Sequence, residues 1–441
     1  MRIKGIALVI FAVSIFIQLI FLLMLNKSVE KRSQSHDYGR FYEPVAENIL
    51  LEKGIVDNSG SLASRYPPGY PVFLSALFSL GDLTGINRLK LIAAFNILLM
   101  SLGALLVYGI AGNILGVQTG FISSLLWITY PFNLWLIKQP NSEVLFIPLL
   151  YLSVYLLLVN SGKGNIFMAL FSGVAVGVSA LVRPVAVFFP FLIIGGMWML
   201  DTIPKKKLAL NCLMVLSGFL AVILPWEMKL YKTTGRVVLL STGGVPSVLD
   251  GLTFATHAGA GGNRVVVPED VMGIMKRTAS KNDLETMGDI FKYMLCEMKQ
   301  NPSGIFKLFV IKFCRSWYGT DEMWHEKYIL LIQSVYVILA IAGLILGFEY
   351  YGDRRMYFIF LLGIILYFNI FATVVLSILR YMVPAMIAVI IFCAIVVNRI
   401  AGKLSSKICH VERLAKPLNA EILTPISRCQ NDKIGLFKNL E

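Results

Sequence analysis

The 441-residue sequence has few charged residues, only four histidines and no paired-cysteine motif. Asp, Glu, Lys and Arg together make up 15% of the chain, against about 25% in soluble domains. The six cysteines form no CxxC pair and no Cys/His cluster with metal-binding spacing. No convincing nucleotide-binding motif is present. These absences argue against an ordinary soluble enzyme, a small disulfide scaffold and a zinc-finger module.

Apolar residues make up 57% of the chain and are concentrated in long runs. A run of about 20 mostly apolar residues is long enough to cross a bilayer as a helix. The sequence therefore predicts an all-α polytopic membrane protein with about ten transmembrane helices. The first run has no A-x-A site after it, so we expect it to be retained as an anchor. The runs are residues 5–25, 91–114, 117–137, 144–159, 165–182, 185–200, 208–226, 328–348, 356–378 and 382–397.

The positive residues predict how the chain is oriented. The net charge is +14, but Lys and Arg lie between the apolar runs and form no dense stripe, so no nucleic-acid partner is predicted. Clusters at 205–207 and 354–355 fall on the side that carries both termini, which predicts cytoplasmic termini in the plasma (inner) membrane. The predicted organisation is a transmembrane domain over 1–400, extracytoplasmic loops over 26–90 and 227–327, and a cytoplasmic polar tail over 401–441.

The outer ends of the predicted spans and the two long loops carry two acids and several arginines. Such a group suits a phosphate-bearing lipid better than a transported ion, because guanidinium groups bind phosphate in a bidentate manner. Chance convergence of loop charges is the alternative, and helix capping alone would explain the acid at 143. The members are Asp37, Arg40, Arg65, Glu143, Arg183, Arg236 and Arg380.

Two stretches of the loops predict short helices. Residues 72–80 are too short to span and are predicted to form an interfacial or re-entrant helix after a rigid Pro-rich turn. Residues 307–317 are predicted to form another interfacial helix, with Lys312, Arg315 and Trp317 on or near its rim.

At these residues the sequence resembles the GT-C membrane glycosyltransferases, in the branch that contains protein O-mannosyltransferases, lipid A aminoarabinose transferases and related bacterial family 39/83-like enzymes. An isolated Asp-x-x-Arg occurs by chance, but the ordered set of motifs on a matching topology over about residues 1–400 is specific. The motifs are Asp37 with Arg40, Tyr42 and Ala46, then residues 66–71, 142–146, 180–184, 224–226, Gly235-Arg236 with Ser241-Thr242, Asn301-Pro302, and Arg380-Tyr381 with Pro384.

The resemblance implies an inverting glycosyltransferase. Such enzymes move a sugar from a polyprenyl-phosphate carrier, here expected to be undecaprenyl phosphate, to a lipid, glycan or protein acceptor on the outer face of the membrane. By the resemblance, Asp37 would be the catalytic base and Glu143 a second acid near the acceptor or sugar. Arg40 and one or more of Arg183, Arg236 and Arg380 would hold the carrier phosphate. The implied substrate-binding residues are Tyr42, Arg65, Tyr66 and Tyr381.

The sequence departs from some relatives at the position before Pro67-Pro68. Those relatives have an acid there that has been proposed to bind a metal, whereas this chain has Arg65-Tyr66. The departure argues against a divalent metal, which stays open only as an alternative, and no other cofactor is expected. No metal-ligating residue is assigned.

The proposed chemistry fits the residue types. A carboxylate takes the proton of the attacking hydroxyl, and arginines stabilise the charge that develops on the departing phosphate. A transporter or flippase for polyprenyl-linked lipid or sugar is the main rival, but the sequence has no internal repeat and almost no charge at the span centres. A non-catalytic lipid-binding or assembly subunit and an O-antigen ligase or polymerase-like enzyme also stay open as functions.

Overall fold

The computed structural model describes residues 3–25, 37–200, 202–254, 266–320 and 325–415, with backbone only at 3–4 and 404–415. The described residues are nearly all helical and contain no β-strand beyond one isolated bridge between Val56 and Leu62. The helices are α1 (Ile3–Met24), α2 (Glu43–Leu50), α3 (Gly69–Thr84), α4 (Arg88–Leu115), α5 (Val117–Ile128), α6 (Pro131–Ile137), α7 (Ser142–Asn160), α8 (Ile166–Val182), α9 (Phe189–Leu200), α10 (Lys205–Thr234), α11 (Gly244–Thr253), α12 (Glu269–Ala279), α13 (Met287–Gln300), α14 (Pro302–Arg315), α15 (Glu326–Tyr350), α16 (Arg355–Val374) and α17 (Met386–Ala415).

The predicted apolar runs all coincide with apolar helices. By length and composition, 7 helices of the described part are able to cross a membrane, and α5 with α6 makes a bent pair that counts as one further span. Helix α8 and the segment that contains α9 are shorter apolar helices at two more of the predicted runs. The protein is therefore a multi-pass membrane protein, and the predicted all-α polytopic fold is confirmed.

Two predicted spans have different limits from those expected. The run 117–137 is not one straight helix, because α5 and α6 meet at an angle of 55°. Pro131 begins α6 at its first position, where a proline needs no amide hydrogen bond and cannot continue the preceding helix. The run 356–378 ends as helix at Val374, and an extended segment follows it.

Helices α8 and α10 pack against each other with their backbones nearly in contact. The spacing of Gly173 and Gly177 predicts such a close approach between two membrane helices. A Cβ atom on Gly173 would lie 2.0 Å from the carbonyl oxygen of Val215 in α10. The prediction is confirmed, and the contact fixes the position of α8, from which the chain continues to residue 183.

The large polar loop forms a small helical unit with its own apolar core. Helices α11, α12, α13 and α14 bury side chains such as Leu252, Ile274 and Leu308 between them. Helices α11 and α14 also contact α16. The prediction that Lys312 and Arg315 lie at an exposed rim is wrong, because these side chains are 0% and 3% exposed. Their face of α14 packs beside the end of α16 rather than facing solvent.

Candidate functional site

Asp37 lies directly before a single π-helical turn, Tyr38–Tyr42, that leads into α2. Its side chain is 25% exposed. Each carboxylate oxygen has a partner from a different part of the chain. The Tyr66 hydroxyl donates to Oδ1 over 3.1 Å, and Nη2 of Arg380 lies 3.5 Å from Oδ2. Asp37 is thus held in place and is still accessible to a small reactant.

Glu143 lies in the first turn of α7 and is almost completely buried, with a side chain that is 3% exposed. Its Oε1 forms an ion pair with Arg183 and lies 3.4 Å from Nε of Arg380. Two guanidinium groups therefore compensate one buried carboxylate, which is the arrangement that makes burial of charge tolerable. These contacts favour a role in positioning the two arginines, and the expected role of Glu143 as a second acid stays a prediction.

Arg183 follows the last residue of α8 in an extended conformation, and its amide still donates to the carbonyl oxygen of Ser179 over 2.8 Å. Its Nη1 donates to Ser142 Oγ over 3.3 Å. Its guanidinium carbon lies 5.0 Å from the centre of the Tyr381 ring, within the range of a cation–π contact. The side chain is 12% exposed, so Arg183 is mostly buried.

Three tyrosines of the first loop pack together beneath Asp37. The Tyr42 ring centre lies 5.1 Å from that of Tyr66 and 5.0 Å from that of Tyr70. Burial, and then the negative charge of Asp37, raise the pKa of Tyr66 to about 12. The Tyr66 phenol is therefore protonated at physiological pH and remains the donor in its hydrogen bond to Asp37.

The Pro-rich turn docks the first loop against the chain that carries Arg183. A Cβ atom on Gly69, the first residue of α3, would lie 2.6 Å from the carbonyl oxygen of Leu181. Only glycine allows this contact, because any side chain would overlap the backbone of α8. The contact brings Tyr66 and Arg183 to the same side of the bundle.

The large loop joins the first loop at the same place. The Thr242 amide donates to the carbonyl oxygen of Ser64 over 2.8 Å, and the Gly243 amide donates to that of Arg65 over 3.2 Å. The hydroxyl groups of Ser64 and Thr242 are 3.2 Å apart. These bonds join the backbone of the large loop to the two residues directly before Tyr66.

Three of the predicted arginines are more exposed than Arg183 and Arg380, and one of them, Arg65, is a hydrogen-bond partner of the Tyr66 side chain. Arg40 and Arg65 are exposed, and their guanidinium carbons lie 5.3 Å and 4.6 Å from the centre of the Phe41 ring. Arg236 is exposed and belongs to the large loop, where it is a minor cause of the lowered pKa of Asp289, behind the hydrogen bond from Thr286. The structure does not bring Arg236 together with the other predicted residues.

Two further residues belong to the site, although the sequence does not assign them to it. Ser142 accepts from Arg183 and is a hydrogen-bond partner of the Tyr42 hydroxyl. The side chain of Asn141, the residue before α7, makes no capping hydrogen bond to that helix. Tyr70 is 1% exposed, and within the described part of the chain its hydroxyl has no hydrogen-bond partner. The sequence feature that could have identified Tyr70 is its position in residues 66–71, one of the motifs that carry the resemblance to the GT-C enzymes.

The central group contains two carboxylates and two guanidinium groups, so it is close to electrically neutral without a ligand. Arg380 is its most exposed cation, with a side chain that is 30% exposed, and its contact with Asp37 is long for an ion pair. An incoming anion is therefore able to replace Asp37 as the partner of Arg380, while Glu143 keeps the guanidinium in place. Among the described residues there is no group of three His, Cys, Asp or Glu side chains arranged to hold a metal ion.

Comparison with known proteins finds similarity to membrane glycosyltransferases in one family model and in the fold. Residues 66–227 match the family model described as dolichyl-phosphate-mannose-protein mannosyltransferase. The structure is similar to the oligosaccharyltransferase AglB from Archaeoglobus fulgidus in complex with an inhibitory peptide and a dolichol-phosphate, with a TM-score of 0.57 and 11% identity over 96% of this chain and 52% of that chain. The fold is the GT-C fold.

A structure of an Archaeoglobus fulgidus oligosaccharyltransferase tethered to an acceptor peptide gives a TM-score of 0.53 and 12% identity over 88% of this chain and 49% of that chain. This chain thus spans about half the length of the oligosaccharyltransferases it matches. ArnT from Cupriavidus metallidurans bound to undecaprenyl phosphate is more distant, with a TM-score of 0.41 and 13% identity over 96% of this chain and 82% of that chain. Comparison with curated proteins finds no match.

The expected resemblance to the GT-C enzymes is confirmed at the level of the fold. The matched family segment contains Tyr66, Glu143 and Arg183, whereas Asp37 and Arg380 lie outside it. The assignment of these last two residues to the site therefore depends on the geometry of this chain, in which both contact residues of the matched segment.

Proposed function

We propose that this protein is an inverting glycosyltransferase that moves a sugar from a polyprenyl-phosphate carrier to a lipid, glycan or protein acceptor on the outer face of the plasma membrane. The observation that carries the proposal is the position of Arg380, whose guanidinium bridges the accessible carboxylate of Asp37 and the buried carboxylate of Glu143. A base and an anion-binding group are thereby adjacent in a fold shared with enzymes of this kind.

In the proposed reaction Asp37 is the general base. The acceptor hydroxyl attacks the anomeric carbon while Asp37 takes its proton, which requires an approach to within about 3 Å. The new bond joins the acceptor oxygen to the anomeric carbon, and the bond from that carbon to the phosphate oxygen breaks. Attack and departure on opposite faces of the sugar invert its configuration.

Arg380 and Arg183 stabilise the phosphate that leaves. Negative charge builds on the phosphate oxygens as the bond breaks, and guanidinium groups already held in position interact with this charge without first having to reorganise. The leaving group is a phosphate, so no general acid is needed. Glu143 keeps the two guanidinium groups close together, and the exposed Arg40 and Arg65 are placed to attract the carrier to the entrance of the site.

The test uses the purified full chain in detergent with a panel of polyprenyl-phosphate sugars and a membrane extract as the source of acceptor. Release of free polyprenyl phosphate is the measurement. We expect Asp37→Asn to lower turnover by about 10²–10⁴-fold, the usual contribution of a general base, while the protein remains folded and monodisperse.

The matched control is Asp57→Asn, which makes the same change in the same loop. Asp57 accepts from the amides of Ser59 and Ser61 in its own turn, and these contacts remain available to an asparagine oxygen. Full activity of Asp37→Asn would contradict its role as base. Binding of polyprenyl phosphate without release from any donor would instead favour a transporter or a lipid-binding subunit.

A further inference from the structure

Arg380 is reached from α16 by a short segment, residues 375–379, which we call the strap and which is buried from Ser377 onward. The strap is extended at Ile378, with φ −129° and ψ 149°. Ser377 is 0% exposed and Ile378 is 2% exposed. A buried extended segment has backbone groups that need partners outside itself, and those partners determine where Arg380 lies.

The large loop supplies these partners. Nη1 of Arg315, the last residue of α14, donates to the carbonyl oxygen of Ser377 over 3.2 Å. The amide of Leu379 donates to the carbonyl oxygen of Gly319 over 2.8 Å. One turn earlier in α14, Nζ of Lys312 donates to the carbonyl oxygen of Val374, the residue before the strap, over 3.2 Å. The strap and the residue before it are thus hydrogen-bonded at three points to α14 and to the turn that follows α14.

The side chain of Arg315 is in turn held by the carboxylate of Glu326 and by the backbone of Thr320. Its Nη2 lies 2.6 Å from Oε1 of Glu326, the first residue of α15. The same oxygen accepts from the amide of Thr320 over 2.8 Å, and Nη2 also donates to the carbonyl oxygen of Thr320 over 3.0 Å. With a side chain that is 4% exposed, the guanidinium has little freedom to change partner.

We propose that Arg315 is a positioning residue for Arg380. With Glu326 it fixes the strap, and the strap sets the Arg380 guanidinium between Asp37 and Glu143. Buried ion pairs add little net stability compared with apolar residues of the same size, so a pair at this place is better explained by the geometry it imposes. This inference rests on the proposed role of Arg380 in holding the carrier phosphate.

The experiment measures the affinity of the purified full chain in detergent for undecaprenyl phosphate, by native mass spectrometry. We expect Arg315→Met to weaken binding roughly tenfold, since small displacements of a positioned group are costly. Arg315→Lys should restore part of the affinity because it keeps a cation near Ser377 and Glu326. Glu326→Gln keeps the shape and should weaken binding in the same direction by a smaller factor.

The control variant is Arg277→Met, which breaks another arginine–glutamate pair in the same loop. Nη2 of Arg277 lies 2.6 Å from Oε2 of Glu297, and neither residue bonds to the strap. Its effect on binding should stay below about twofold, the limit within which changes at separate sites usually act independently. A loss as large as that of Arg315→Met would mean that any disturbance of the large loop weakens binding, which would overturn the inference.

A double-mutant cycle separates positioning from general loss of structure. If Arg315 acts through Arg380, Arg315→Met should have less than about a twofold further effect in an Arg380→Met background. Effects that multiply in the double variant would overturn the inference. So would unchanged affinity of a folded Arg315→Met protein; if that variant does not fold, Glu326→Gln is used in the same cycle.

Hydrogen exchange of the ligand-free protein keeps the two proposals distinguishable. The peptide that contains Leu379 and Tyr381 should exchange faster in Arg315→Met and Glu326→Gln but not in Arg277→Met. A wild-type protein that binds no undecaprenyl phosphate would contradict the proposed function. Unchanged exchange at Leu379 would contradict the positioning role, whatever the binding result.

Discussion

Four arginines of the predicted site fall into two pairs that differ in their partners and in their exposure. Arg183 and Arg380 are paired with the buried Glu143, whereas Arg40 and Arg65 are exposed and lie over the ring of Phe41. A guanidinium held by a buried carboxylate has one orientation and a partly dehydrated environment, so its charge acts strongly on a nearby group. A solvated guanidinium on an aromatic ring is mobile and screened by salt.

The difference indicates a division of labour. Under the proposed function, the inner pair, Arg183 and Arg380, would stabilise the charge that develops on the departing phosphate, and the outer pair, Arg40 and Arg65, would attract the anionic carrier. Substitutions at the inner pair, at the outer pair and at a buried cation of another kind test this division.

The largest effect is expected at the inner pair. Arg380→Met should lower kcat/KM for the polyprenyl donor by about 10²–10³-fold, comparable to the loss of one preorganised donor in other active sites. Steady-state kinetics of donor cleavage measures it. Arg88→Met is a suitable control, because Arg88 also has two acidic partners, Glu47 and Asp82. A variant at 380 that is as active as wild type would remove the distinction between the pairs.

A smaller and salt-dependent effect is expected at the outer pair. The double change Arg40→Gln with Arg65→Gln should raise KM for the donor by about twofold to fivefold at low salt, with kcat unchanged. The difference should shrink at about 0.5 M salt, where surface charges are screened. Lysine at both positions should behave like wild type. A loss of kcat that does not depend on salt would place these arginines in the inner group.

The last effect is on stability and not on turnover, and it concerns Lys312, a buried cation that donates to a carbonyl oxygen rather than to a carboxylate. Burial lowers the pKa of Lys312 to about 7, while the unfolded chain keeps a value near 10.4. Between these values the unfolded state binds more protons, so stability should rise with pH, by up to about 1.4 kcal/mol per pH unit.

The measurement for Lys312 is the apparent melting temperature in detergent from about pH 7 to pH 10. The rise should be weaker in Lys312→Met, and the difference between the two proteins isolates Lys312 from other titrating groups. Parallel curves for the two proteins would show that Lys312 keeps its charge without a carboxylate partner. A carboxylate partner would then not be needed to keep a buried cation charged, and Lys312 would not differ in this respect from Arg183 and Arg380.

The fold is largely predictable from the sequence, because each apolar run carries its own signal. Residues 91–114 and 208–226, for example, are almost entirely apolar, and each lies within one long helix, α4 and α10. The break at Pro131 is harder to predict, since the stretches on both sides of it are apolar and together have the length of one span. The angle between α5 and α6 depends on packing that no local pattern contains.

The site is predictable only in part. Asp37, Glu143, Arg183 and Arg380 each place a charge at the end of an apolar run or in the first loop, and the structure does bring them together. Arg236 has a similar local signature, yet it belongs to another part of the large loop. Its sequence neighbours do not determine where that loop folds.

The largest error concerns α14. Residues 307–317 predict an interfacial helix with Lys312 and Arg315 on or near its rim, where long charged side chains ordinarily extend toward water. Here the face with Lys312 and Arg315 meets the end of α16 and the strap, whose carbonyl groups accept from both. That contact joins segments more than 60 residues apart, so its existence depends on tertiary structure and not on the pattern of α14.

The close contact between Gly69 and the end of α8 has a consequence for biosynthesis. Membrane helices enter the bilayer as the chain is made, from the N-terminus onward. The first loop is complete long before Leu181 exists, so it has no docking partner until α8 has been inserted. Arg380 joins later still, after nearly all other residues of the site. A nascent chain thus passes through most of its synthesis without the complete group of charges, and a product truncated between Asp37 and the strap lacks the cation proposed to hold the carrier.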